Sequence, residues 1–129
     1  MWDRRARVLA VKDGDTLRTV LDQGFGDTKT IDLRLFDTWA PEHGDAGGAE
    51  TRTFVVEWLA RNNPRGDEWP YVVTVRRVRS GTHEVMSLGR YVGSLANAEG
   101  DTLNDAVNGF VASKGFGRGI GARSGKEVG

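Results

Sequence analysis

Three groups of residues along the chain carry side chains suited to chemistry on phosphates and cations. Asp13-Gly14-Asp15-Thr16 places two carboxylates at i and i+2 around a turn, a spacing that can hold a hard cation through oxygen. The same tetrapeptide also reads as plain hairpin chemistry, because Asp-Gly is a common turn pair. Arg34-Leu35-Phe36-Asp37-Thr38-Trp39-Ala40-Pro41-Glu42 sets a guanidinium in a strand, an acid at the strand end and a second acid just past a proline. Arginine offers a planar fork that matches phosphate, and a carboxylate beside it can orient or deprotonate water. The plain alternative is a surface ion pair of small energetic weight. Gly89-Arg90 adds a further arginine next to a residue that lets backbone pass close to a ligand.

These residues need a scaffold, and the hydrophobic pattern supplies one. Residues 6–12 read as a strand, followed by the Asp-Gly turn and a second strand over 15–22. In that second strand Leu17 and, after a slip, Val20 and Leu21 are the inward candidates. Residues 29–37 alternate, with Ile31, Leu33 and Leu35 on one face and Asp32, Arg34 and Phe36 on the other. Residues 43–48 read as a loop and 49–61 as a helix, with Phe54/Trp58 and Val55/Leu59 four apart. Asn62-Asn63-Pro64 ends it. A fourth strand is expected over 70–79, with Tyr71, Val73 and Val75 inward, then a loop over 80–88 and a fifth strand over 89–97. Leu103, Ala106, Val107, Phe110 and Val111 form a helical stripe. Thr102 is its expected N-cap, Asp105 stands at N3, and Lys114-Gly115 closes it. The order βββ-α-ββ-α predicts an α+β, mainly β fold: a five-stranded OB-type barrel over 1–115, with one helix between strands 3 and 4 and a C-terminal helix. Residues 116–129 read as a Gly-rich, mobile tail.

Taken together, these motifs resemble the staphylococcal nuclease (thermonuclease) family. The likeness rests on DGDT at 13–16, Arg34-Leu35, Pro41-Glu42 with eight residues from Arg34 to Glu42, the GAETRTF segment at 48–54, Gly89-Arg90 and Leu103-Asn104. It spans roughly residues 6–115. It implies an OB barrel that cleaves single-stranded DNA and RNA with Ca²⁺. It implies Asp15 as a metal ligand, Glu42 as the carboxylate that handles the attacking water, and Arg34 and Arg90 as phosphate-binding arginines. The chain departs from the pattern at Trp39, which falls where the family has its second metal-ligand aspartate. Asp37 lies two residues earlier, on the same face of an extended chain and about 6.5 Å back. It is therefore the expected replacement ligand beside Asp15, with Trp39 a candidate for stacking on a base. Ser87-Leu88 departs from the Asp and Tyr that often precede the Gly-Arg pair. Oxygen donors of this kind also accept Mg²⁺ or Mn²⁺.

Composition sets further bounds. The 129 residues suit one domain, and 38% hydrophobic residues with four Trp argue against disorder. The absence of cysteine excludes disulfides and thiolate metal sites. The first residues carry Asp3, Arg4, Arg5 and Arg7 with no apolar stretch, so no secretory signal is expected, and no run reaches the length of a membrane span. A cytoplasmic monomer acting on single-stranded DNA or RNA is the resulting expectation. The formal net charge is zero, split as −3 over residues 1–70 (10 Lys+Arg against 13 Asp+Glu) and +3 over 71–129 (8 against 5). The tail GFGRGIGARSGK is not a P-loop, since Ile120 and Glu127 stand where that motif needs Gly and Ser or Thr. His43 and His83 read as surface residues, and Trp2, Trp58 and Trp69 as packing. Two other readings compete with the enzyme: an OB barrel of nuclease descent that only binds single strands, and a structural component built on the same barrel.

Overall fold

The computed structural model describes residues 2–78 and 90–116, without the side chains of residues 2, 77, 78 and 90. The expected loop over 80–88, with His83, Ser87 and Leu88, lies outside the described residues, as do Gly89 and the tail beyond residue 116. The elements run β1 (Trp2–Asp13), β2 (Thr16–Gly24), β3 (Asp27–Leu35), α1 (Gly48–Arg61), β4 (Tyr71–Val78), β5 (Arg90–Ala96) and α2 (Leu103–Lys114).

The strands close into a barrel in the order β1-β2-β3-β5-β4. All neighbours are antiparallel except β3 and β5, which run parallel. This is a mainly β, five-stranded OB-type barrel, with α1 between β3 and β4 and α2 after β5. The β1-β2-β3 meander follows from its two tight turns. At the second turn, Gly24, Phe25 and Gly26 all have positive φ, and the flanking glycines accept that conformation without a Cβ penalty.

The barrel interior is filled by the alternating set. Ile31, Leu33 and Leu35 are each 1% exposed or less, and Val73, Val75 and Tyr71 are buried beside them. β2 does not slip as its apolar residues suggest. Leu17, Thr19 and Leu21 take successive inward positions, and Thr19 is fully buried with no hydrogen-bond partner for its hydroxyl among the described residues. Val20 is buried on the opposite side.

The helices close around one end of this core. In α1, Thr51, Val55, Trp58 and Leu59 are buried. The Tyr71 hydroxyl donates to the Leu59 carbonyl at 2.6 Å and ties β4 to the helix. Thr102 caps α2, its hydroxyl accepting from the Asp105 N–H at 3.1 Å, and Gly115 ends the helix at φ 71°. Phe54 of α1 stacks on Phe110 of α2 with ring centroids 4.4 Å apart. Among the described residues, no helix is long and apolar enough to cross a membrane.

Candidate phosphate and metal site

Asp13 and Thr16 are partners at the end of the β1-β2 ladder, with Gly14 and Asp15 forming the connection. Gly14 is required by packing and not by φ. A Cβ at this position would lie 2.5 Å from Thr51 Cγ2 and 2.8 Å from Ala40 Cβ. The turn is thereby pressed against α1 and against the segment that follows β3. The Asp15 carbonyl accepts the Leu35 N–H at 2.8 Å, which fixes the turn to the end of β3.

That placement buries Asp15, leaving the residue 6% exposed. The β2-β3 register pairs Thr16 with Arg34, and Arg34 Nη2 reaches 3.6 Å from Asp15 Oδ2. The Thr16 hydroxyl donates to Asp15 Oδ1 at 3.3 Å, and the Ala40 N–H also bonds the carboxylate. Burial nevertheless pushes the Asp15 pKa above the ordinary carboxylate range. The Arg34 charge and these hydrogen bonds pull it down by less, and the charge of Asp13 adds to the rise. The site thus contains a buried carboxylate that one guanidinium does not fully compensate. The Arg34 side chain remains half exposed, and its other donors have no partner among the described residues.

Glu42 is fixed through its backbone. Gly48 opens α1 directly against the Glu42 carbonyl, where any Cβ would collide. The same carbonyl accepts the Asp45 N–H at 2.9 Å, while the His43 N–H donates to Asp13 Oδ1 at 3.0 Å. The loop carrying Glu42 is therefore tied to the turn carrying Asp13 and Asp15, and the Glu42 side chain is exposed to solvent. His43 is a surface residue as expected, and it contributes its backbone.

Asp37 does not lie on a continuing strand as the sequence suggests. β3 ends at Leu35, and Asp37 has φ 53°, so the chain turns where an extended strand was expected. The Asp37 carbonyl accepts from Asn108 Nδ2 at 3.0 Å. The residue lines a cleft of about 280 Å³ beside α2, together with Phe36, Arg76, Asn104 and Asp105. The carboxylate that acts on Asp15 belongs to Asp13. Trp39 is half-buried, packs against the core, and donates its N–H to Asn108 Oδ1 at 3.4 Å. Arg90 opens β5 with its Cα paired to Asp32, two residues before Val92, the partner of Arg34.

The donor set bears on the metal. Among the described residues, no three His, Cys, Asp or Glu side chains gather into a metal-holding group. Ca²⁺ usually takes six to eight oxygens, which this set does not supply from protein side chains. One or two carboxylates can hold a hydrated divalent ion jointly with a substrate phosphate, and Asp13 and Asp15 are the two carboxylates of this turn.

Asn104 is the residue whose part the sequence did not disclose beyond its place in a motif. Its side chain accepts the Leu95 N–H at 3.3 Å and donates to the carbonyls of Phe36 at 3.0 Å and Gly93 at 3.2 Å. It locks α2 to β5 and to the end of β3, just before the loop that leads to Glu42. A polar residue inside the apolar stripe of α2 was the available signal. Compared with protein-family models and with curated proteins, the chain matches none.

Proposed function

We propose that this chain is a metal-assisted phosphodiesterase that cleaves single-stranded DNA or RNA, as its resemblance to staphylococcal nuclease implies. The observation that carries the reading is the pairing of buried Asp15 with half-exposed Arg34, on a turn tied to the Glu42 loop. Arg34 binds a phosphate oxygen through its free N–H groups and stabilises the charge that builds up on the phosphorane. Asp15 holds that guanidinium in place. Glu42 positions and deprotonates the attacking water. Arg90 enters as the second phosphate-binding arginine, on the resemblance and on its register beside Asp32. Asp15 and Asp13 would hold a divalent ion, Ca²⁺, Mg²⁺ or Mn²⁺, which would supply Lewis-acid stabilisation of the phosphate when bound. Trp39, which is half-buried, is the aromatic candidate for stacking on a base.

A second reading is a binding module without hydrolysis. It is favoured by Trp39 standing where the resembled family has its second acid. Cleavage of a labelled single-stranded oligonucleotide by wild type and Arg34→Gln, with a divalent ion and with chelator, separates the two. Metal-dependent cleavage that falls by orders of magnitude in Arg34→Gln supports the enzyme. Binding without cleavage under every metal condition supports the module.

A further inference from the structure

On the outer face of β3 that carries Arg34, a second buried acid stands with its own cations. Asp32 is 6% exposed. Its Oδ1 accepts from Arg18 Nε at 3.0 Å and its Oδ2 accepts from Lys12 Nζ at 3.3 Å. Arg18 and Asp32 are register partners across β2 and β3, and Lys12 sits at the register shift in β1 between Val11 and Asp13. Lys12, Arg18 and Asp32 therefore form a transverse row over three strands, and the β3-β5 register sets the backbone of Arg90 at the end of that row. The row lies two register positions from the Thr16–Arg34 row, about 6.6 Å along β3.

The row is built to present cations and not merely to neutralise them. One carboxylate faces two positive groups, so the cluster keeps a net positive charge. Arg18 spends only Nε on Asp32, which leaves both terminal nitrogens of its fork without a partner among the described residues. The side chains of Lys12 and Arg18 are 46% and 43% exposed, much like Arg34 at 50%, while their acid is buried beneath them. Asp32 thus acts as a clamp. It sets the direction of Arg18 and lowers the entropy lost when the guanidinium meets an anion. Its own pKa stays below the ordinary range, because although burial raises it, the Arg18 and Lys12 hydrogen bonds and charges outweigh that effect.

We infer that Lys12 and Arg18, held by Asp32, form a second phosphate subsite that takes the phosphate adjacent to the one at Arg34, so that the protein grips at least two successive phosphates of a single strand. The inference rests on the proposed single-strand reading and extends it. It makes an oligonucleotide, and not a mononucleotide, the fitting ligand.

The test is fluorescence anisotropy of 5′-labelled dT8 in chelator over a range of salt, with wild type, Lys12→Gln, Arg18→Gln, Arg34→Gln and, as a remote control, Arg61→Gln. Glutamine keeps a donor for Asp32, and a thermal melt of each variant verifies the fold. Lys12→Gln and Arg18→Gln are each expected to weaken dT8 on the order of fivefold and to lower the log K against log[salt] slope by about 0.7, with Arg61→Gln unchanged. If Arg34→Gln weakens binding but the Lys12 and Arg18 variants match wild type, the subsite is refuted and the single-strand reading stands. If the Lys12 and Arg18 variants weaken binding and Arg34→Gln does not, the row stands and the reading at Arg34 fails. No binding of dT8 by wild type overturns both. An octaglutamate peptide that competes as well as unlabelled dT8 overturns the assignment to phosphates.

Discussion

Substituting Gly14 by alanine tests how the turn is held against α1. The added methyl would sit 2.5 Å from Thr51 Cγ2 and 2.8 Å from Ala40 Cβ, both well inside normal carbon contact. Gly14 is buried and its neighbours belong to a packed core, so the strain does not relax freely. Overpacking of this kind costs about 1–3 kcal/mol. At about 4 °C per kcal/mol for a domain of this size, the melting temperature falls by about 4–12 °C. Thr51→Ser removes the nearer clashing atom while keeping the hydroxyl that donates to the Gly47 carbonyl at 2.7 Å. Alone, Thr51→Ser loses a buried methyl worth about 1 kcal/mol. In the Gly14→Ala background it relieves the clash, so the double variant is more stable than the sum of the singles by about 1 kcal/mol. Thermal or urea unfolding followed by circular dichroism reads all four proteins. An alanine variant as stable as wild type, or strictly additive costs, would refute the packing argument.

Tyr71→Phe removes the 2.6 Å bond to the Leu59 carbonyl and costs about 1 kcal/mol at neutral pH. Burial pushes the Tyr71 hydroxyl up to about 12, so between pH 10 and 12 the unfolded state releases a proton that the folded state keeps. Wild-type stability then falls as pH rises, by up to about 2.7 kcal/mol from this group, and Tyr71→Phe loses that alkaline slope. Equal slopes in urea melts at high pH would contradict the assignment. Asn104→Ala leaves the Phe36 and Gly93 carbonyls and the Leu95 N–H without their side-chain partner, and is expected to cost about 3 kcal/mol. It also loosens the end of β3, so nucleic-acid binding at Arg34 weakens in the folded fraction; a cost under about 0.5 kcal/mol in unfolding would rule out the tie described for this residue.

The sequence disclosed what depends on local pattern. The alternation of Ile31, Leu33 and Leu35, the stripe of α2 and the Thr102–Asp105 cap each follow from rules that act within a few residues. It concealed what depends on pairing at a distance. The Asp15–Arg34 contact exists because the β2-β3 register sets Thr16 opposite Arg34. Thr19 keeps the inward period of Leu17 and Leu21, and its polarity hides that period in the sequence. The two-residue spacing of Asp37 from Trp39 predicts a shared face only if the chain stays extended. Instead, the Leu35 N–H bonds the Asp15 carbonyl and the Phe36 N–H bonds the Gly93 carbonyl at 2.7 Å, after which the chain turns. The Lys12–Arg18–Asp32 row was likewise invisible, since its members come from three strands.

The most direct test of the central claim is cleavage of a labelled single-stranded DNA by wild type and Glu42→Gln, at saturating protein, with divalent ion and with chelator. The account predicts metal-dependent cleavage by wild type and a loss of at least about 100-fold in Glu42→Gln, with single-strand affinity retained. Undiminished cleavage in Glu42→Gln, or none by wild type with any of Ca²⁺, Mg²⁺ and Mn²⁺, would contradict it.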